Sequence, residues 1–186
     1  MTDWITSGTW QLGEMEKARL EAALKVVNPY HVLDIGCRDG TFALTLAREH
    51  PDYFIHAFDT DASAIEWANR KAIELNLENA TFWNDNLLDP KLIPFGKFDT
   101  VYLMETLEHL PPDRIQQGYD TALKFLKPGG RLVVSVPANT HISDPDHHTV
   151  FYREAIHGQV RGAKWVSDCP FLWIMFQVDV PGETSE

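Results

Sequence analysis

Two hydrophobic rhythms alternate along the chain. From about Leu12 to Val27, charges interleave with Ala18, Ala22, Ala23, Val26 and Val27 at helical spacing, and "NPY" ends the pattern. "HVLDIG" then reads as a short buried strand, "TFALTLAREH" as a helix stopped by Pro51, and "YFIHAFD" as a second strand ending on Asp59. "DASAIEWANRKAIELN" carries Ala64, Ile65, Ala68, Ala72, Ile73 and Leu75 on one broad helical face. "ATFWND" and "FDTVYLM" are predicted strands. "PPDRIQQGYDTALKFL" is a predicted helix with Pro and Asp at its favoured start and Ile115, Tyr119, Ala122, Leu123 and Leu126 in helical period. "KPGG" is expected to turn the chain into a fifth strand, "RLVVSVP".

Strands separated by helices predict an α/β fold, a parallel sheet covered by helices on both faces. After Pro137 the alternation breaks. "TVFYREAIHGQV" can form a helix, and "AKWVSDCP" with "FLWIMFQVDV" can form an antiparallel hairpin, its polar member at the sheet edge and its apolar member buried. Ligands of such sheets bind beyond the C-terminal strand ends. That rule selects Asp34 to Gly40, Asp59, Asp85 and Met104 to His109 as the rim of a site.

A length of 186 residues suits one domain, and a net charge of −11 disfavours a nucleic-acid partner. Cys37 and Cys169 form neither a metal spacing nor a disulfide framework, so the expected setting is reduced and cytoplasmic. The N-terminus lacks the pattern of a signal peptide. The longest strongly apolar run, Phe171 to Phe176, is too short to span a bilayer.

"VLDIGCRDG" satisfies neither the dinucleotide fingerprint nor the P-loop. A carboxylate at Asp34 repels phosphate and suits a ligand amine. Asp59, just past the second strand, suits a ribose diol, and Asp85 could accept from an adenine amino group. Amine, ribose and adenine together describe S-adenosylmethionine.

The same segments resemble class I S-adenosylmethionine-dependent methyltransferases, from about Glu14 to Val180. "VLDIGCRDG", "HAFDTDASAIEWA", "TFWNDNLLD" and "FDTVYLMETLEHL" look like the family's successive motifs, and "LKPGGRLVVSVP" like the stretch through its fifth strand. Small members of the ubiquinone-biosynthesis O-methyltransferase type are the best likeness. The resemblance implies a three-layer Rossmann-like fold with a seven-stranded, mostly parallel sheet. It implies one domain over 1–186: an N-terminal lead and helix (1–28), a cofactor-binding core (29–137), and a substrate-side loop and hairpin (138–186). It also implies that Asp34, Gly36 and Gly40 shape the methionine pocket, with Cys37 and Thr60 among the cofactor-binding positions. Asp59 would take the ribose, Asp85 and Asn86 the adenine, and Met104 would line the pocket. Arg38 departs from the family's usual glycine. It either points outward, crowds the cofactor, or pairs with the methionine carboxylate.

Methyl transfer to a hydroxyl or amine needs alignment and removal of a proton. Glu105, Glu108 and His109 would share one face if "METLEHL" is helical, a plausible set for Mg²⁺, Mn²⁺ or Zn²⁺. His109 and Glu105 are candidate catalytic groups. Of His147 and His148, which follow the fifth strand, His148 is taken as the third. The expected reaction is O-methylation of a small-molecule or sugar-like acceptor, with Trp4, Trp10 and Tyr152 as candidate covers on that side. A protein partner or homo-oligomer could complete the site. The rival readings are a catalytically silent methyltransferase-like subunit acting through a partner, and an NAD-dependent oxidoreductase.

Overall fold

The computed structural model describes residues 14–92, 96–137, 146–151, 164–169 and 173–182. Helix α1 (Glu14–Leu24) leads into β1 (His31–Ile35), α2 (Thr41–Glu49), β2 (Phe54–Asp59), α3 (Ala62–Glu74), β3 (Ala80–Asn84) and β4 (Phe98–Met104). A single 3-10 turn (Leu107–His109) precedes α4 (Ile115–Phe125) and β5 (Leu126–Pro137). The strands β6 (Lys164–Cys169) and β7 (Trp173–Asp179) follow. Among the described residues seven strands form one sheet, in the order β3-β2-β1-β4-β5-β7-β6. The first five strands pair in parallel, and β7 runs antiparallel to both β5 and β6.

Burial on both faces explains why these strands read as apolar runs. Val32, Ala57, Tyr102 and Val133 face a layer built from Ala22 and Ala23 of α1, Ala43, Leu44 and Leu46 of α2, and Ile65, Ala68 and Ala72 of α3. Leu33, Ile35, Phe58, Val101 and Leu103 point the other way, against Tyr119, Ala122 and Phe125 of α4. The two-residue period of a strand sorts neighbouring residues into these two cores.

Three element boundaries differ from the sequence expectation. Helix α4 starts at Ile115 and not at the prolines. Pro111 instead accepts from the Arg114 N–H at 2.8 Å, a turn leading into the helix. "KPGG" does not separate a helix from a strand, because β5 already begins at Leu126, which pairs with Phe98. Pairing continues across the glycines through a register shift between Phe98 and Thr100, with Gly129 at φ +79° absorbing the bend. Thr149 and Val150 are not helical, and Phe151 is buried in the α4-side core. The remainder of the helix expected there, with Tyr152, lies outside the described residues, as do Trp4, Trp10 and Pro170. The polar hairpin member β6 occupies the sheet edge and the apolar β7 lies inside it, as expected.

The end of α1 and the chain that follows it are bonded to the sheet by side chains of β4 and β5. Tyr102 Oη donates to the Ala23 carbonyl at 3.0 Å, and Arg131 Nη1 donates to the Val26 carbonyl at 2.9 Å. Thr100 Oγ1 both accepts from the Asn28 N–H and donates to the Asn28 carbonyl. The Tyr102 bond is fully buried, so Tyr102→Phe removes a hydrogen bond inside the core and leaves the Ala23 carbonyl with the Val26 N–H alone, at 3.2 Å. Its expected cost is about 1 kcal/mol, read as a lower urea midpoint at unchanged slope.

Candidate functional site

The strand order turns back at β1, whose neighbours β2 and β4 leave it in opposite directions across the sheet. A crevice opens at that switch point, beyond the strand ends. It holds a cavity of about 840 Å³ lined by Asp34, Gly36, Cys37, Arg38, Asp59, Thr60, Asp85, Asn86, Met104, Glu105, Glu108 and His109. All of these were sequence-predicted site residues. Two others, Gly40 and His148, do not line it.

Asp34 sits in register with Ala57 on one side and Tyr102 on the other, only 2% exposed. Its Oδ2 has no hydrogen-bond partner among the described residues. Burial raises its pKa to about 8, and the nearby charges of Asp59 and Asp39 push the same way. The loop after it turns through Gly36 at φ +72° and Gly40 at φ +74°. A Cβ at Gly36 would lie 2.6 Å from Thr106 Oγ1, and one at Gly40 would lie 2.7 Å from the Phe82 ring. Gly40 therefore supports the loop from behind, packing it on β3, and does not border the cavity. Cys37 is buried, and burial pushes its thiol far above the usual range, so it is an inert packing group.

Arg38 also has a left-handed backbone, φ +50°, which accounts for the glycine preferred at this position in the family it resembles. Arg38 is exposed and also lines the cavity. Its N–H donates to Asp59 Oδ2 at 2.8 Å, and the Asp61 N–H donates to Oδ1 at 2.8 Å. Asp59 is thereby fixed at the end of β2 with lone pairs left on each oxygen. Asp85 is more committed. Its carboxylate accepts from the N–H groups of Asn86, Lys91 and Leu92, which makes it chiefly the clamp of its own loop.

At the other end of the crevice, Glu105 departs from expectation. Its φ of +52° places it before the 3-10 turn and off the face of Glu108 and His109. Its carboxylate accepts from Ser135 Oγ at 2.8 Å and pairs with Arg19 at 3.2 Å. Burial raises its pKa, while Arg19 and the Ser135 bond oppose that rise. Among the described residues the group that could hold a metal ion is Glu108, His109 and His147, whose ligand atoms lie within 4.8 Å of one another. His147 therefore takes the place that the sequence reading gave to Glu105. His147 also lines the cavity, which His148 does not. The His148 side chain is exposed, and its N–H ties the loop to the Glu108 carbonyl at 2.8 Å. His109 Nδ1 lies 3.1 Å from the Asp146 carbonyl. A carbonyl only accepts, so Nδ1 carries the proton and Nε2 keeps the lone pair.

The sequence reading missed Arg19. It lies fifteen residues before Asp34 on a helix with no motif, and only the packing of α1 brings it to the cavity.

The methyltransferase domain family matches residues 32–130. Among curated proteins, the ubiquinone biosynthesis O-methyltransferase of Xylella fastidiosa is 32% identical over 143 residues, covering 70% of this chain and 55% of that protein. The 27-O-demethylrifamycin SV methyltransferase of Amycolatopsis mediterranei is 30% identical, covering 62% of this chain and 42% of that protein. The chain thus spans about half the length of the curated relatives it matches. Among solved structures, magnesium protoporphyrin IX methyltransferase from Synechocystis PCC 6803 aligns with a TM-score of 0.69 at 17% identity, over 95% of this chain and 92% of that one. A [4+2]-cyclase aligns with a TM-score of 0.76 at 15% identity, over 95% of this chain and 84% of that one, so the fold alone does not decide the reaction. The family match covers the loop, Asp59, Asp85 and the Glu105 to His109 stretch together, and on it the chain belongs to the class I S-adenosylmethionine-dependent methyltransferases.

Proposed function

We propose that this chain moves the methyl group of S-adenosylmethionine to a hydroxyl of a small-molecule or sugar-like acceptor. The observation that carries the reading is Asp34, a buried carboxyl with an unpartnered oxygen at the switch point. Such an oxygen suits an ammonium and repels phosphate, which favours an amino-acid-bearing nucleoside over a dinucleotide. In this reading the cofactor amine meets Asp34, and its ribose diol uses the remaining lone pairs of Asp59. The adenine lies beside Asn86, with Asp85 holding that loop in shape. The names of the O-methylating relatives support a hydroxyl acceptor.

Transfer is in line. An acceptor oxygen lone pair attacks the methyl carbon, the carbon–sulfur bond breaks, and its electrons stay on sulfur. The hydroxyl proton goes to His109 Nε2. The cavity supplies alignment, which is the larger part of catalysis for an already activated methyl. Glu108, His109 and His147 have the donor types for a divalent cation, and such an ion would supply acidity to the acceptor hydroxyl. With the ion bound, His109 would act as ligand, and Glu105, held by Ser135, would be the proton acceptor.

Calorimetry with S-adenosylmethionine should show micromolar binding that Asp59→Asn weakens about tenfold or more, and NADH should not bind. NADH binding in place of S-adenosylmethionine would overturn the reading. A second outcome follows from Asp34. Its proton is held up to about pH 8 in the free protein, and an ammonium partner requires the ionised form. Cofactor affinity should therefore rise as pH goes from 6 toward 8, with proton release on binding, and Asp34→Asn should flatten that dependence. Without ligand the stability trend is opposite. The folded protein keeps this proton better than the unfolded chain does, so stability falls as pH climbs from about 4 to 8. Finally, Mn²⁺ binding followed by its electron spin resonance signal should appear in the wild type and be lost in His147→Ala, but not in His148→Ala.

A further inference from the structure

Helix α4 breaks a local rule. Gly118 lies in its interior, where glycine lowers helix stability relative to alanine. Its backbone is helical, so no turn or left-handed conformation calls for glycine there. The reason is space. A Cβ at Gly118 would lie 2.5 Å from Leu110 Cδ1 and 3.3 Å from Leu87 Cδ2. Both leucines line the cavity, and Gly118 does not. The two side chains therefore stand between α4 and the cavity, with the glycine directly behind them.

These leucines belong to different parts of the site. Leu87 follows Asn86 in the loop after β3 and is buried. Leu110 follows His109 and closes the 3-10 turn, its N–H donating to the Leu107 carbonyl at 3.1 Å. Gly118 thus meets the backs of both walls at once. Helix α4 is not free to retreat from them. Its residues Tyr119, Ala122 and Phe125 are packed in the sheet core. Beside the glycine, Gln117 Nε2 donates to the Leu88 carbonyl at 2.9 Å, and Arg114 Nη1 donates to Gln117 Oε1 at 2.8 Å. The helix is fastened to the sheet and to the loop, so a side chain added at position 118 displaces the leucines toward the cavity.

We propose that Gly118 is a positioning residue of the site: the side chain it lacks lets Leu87 and Leu110 stand back far enough for a nucleoside to fit beside Asn86 and His109. It touches no ligand itself and acts only through the two leucines. In the free protein a larger residue at 118 can be relieved, because Leu110 Cδ1 is the end of a flexible side chain and can turn into the cavity. A bound nucleoside closes that route, and the strain then falls on the complex. The cost appears in affinity and not in folding. A glycine retained inside a helix against local propensity is the trace that such a site requirement leaves in a sequence. This rests on the cofactor reading above.

Calorimetry on the full chain with S-adenosylhomocysteine and 5′-methylthioadenosine tests the proposal, since the two ligands share their adenosine part. Gly118→Ala should weaken both about tenfold or more. Its urea midpoint without ligand should be no lower than that of the wild type, because alanine favours the helix. Leu110→Ala removes the atom that the new methyl group meets. In that background Gly118→Ala should change neither affinity by more than about threefold, so the two substitutions are strongly non-additive. A Gly118→Ala chain that loses urea stability along with affinity has an overpacked core, and would overturn the proposal. So would wild-type affinity in Gly118→Ala, or an equal loss of affinity with and without the Leu110 side chain. A wild type that binds neither nucleoside would instead sink the cofactor reading itself.

Discussion

A carboxyl group buried at the point where the sheet reverses its strand order is the constraint on which the rest of the site depends. Asp34 is part of β1, and its backbone is hydrogen-bonded into two parallel ladders. It cannot swing out to water without breaking the centre of the sheet. Burial there disfavours its charge, and Asp59 and Asp39 nearby make ionisation harder still. The free protein carries that disadvantage, and a cationic ligand relieves it. Family membership and this electrostatic demand therefore point to the same kind of ligand by independent routes.

The loop around Asp34 is held by backbone geometry more than by side chains. Gly36, Arg38 and Gly40 all lie in the left-handed region, and the Gly36 and Cys37 N–H groups both donate to the Phe58 carbonyl. Two of the three positions have no room for a Cβ. At the third the residue is exposed, so an arginine is accommodated at a conformational cost of about 1 kcal/mol. The Arg38 N–H on Asp59 offsets part of that cost and locks the ends of β1 and β2 together.

The end of the cavity at Glu105 to His109 is assembled differently, from groups of three separate segments. Glu105 leans on Ser135 of β5, His109 on the Asp146 carbonyl, and the Glu108 carbonyl on the His148 N–H. The 3-10 turn matters here. It is tighter than an α-helix, and with Glu105 turned aside by its positive φ, the three acidic and imidazole groups do not stack on one helical face. Glu105 is directed to Arg19, and the free corner is filled by His147.

Local sequence was enough to establish the strand and helix order, the switch-point rim and the positions of Asp34, Asp59 and Asp85, because strand period, helix period and turn chemistry are short-range properties. It was also enough to separate the loop from a phosphate-binding one, since that rests on residue types alone. The departures needed tertiary structure. The "KPGG" segment looks like a turn until Leu126 finds Phe98 across the sheet. The left-handed backbone of Arg38 is not foreseeable until its N–H meets Asp59 across the ends of two strands. That Asp85 also clamps its own loop, through the N–H groups of Asn86, Lys91 and Leu92, is not visible in the sequence. His147 and His148 are indistinguishable as neighbours in sequence, and Arg19 carries no motif. Only the packing of α1 on Tyr102 and of the 146–151 segment on the 3-10 turn decides which of these groups reach the cavity, because long-range contacts of that kind leave no periodic trace in the chain.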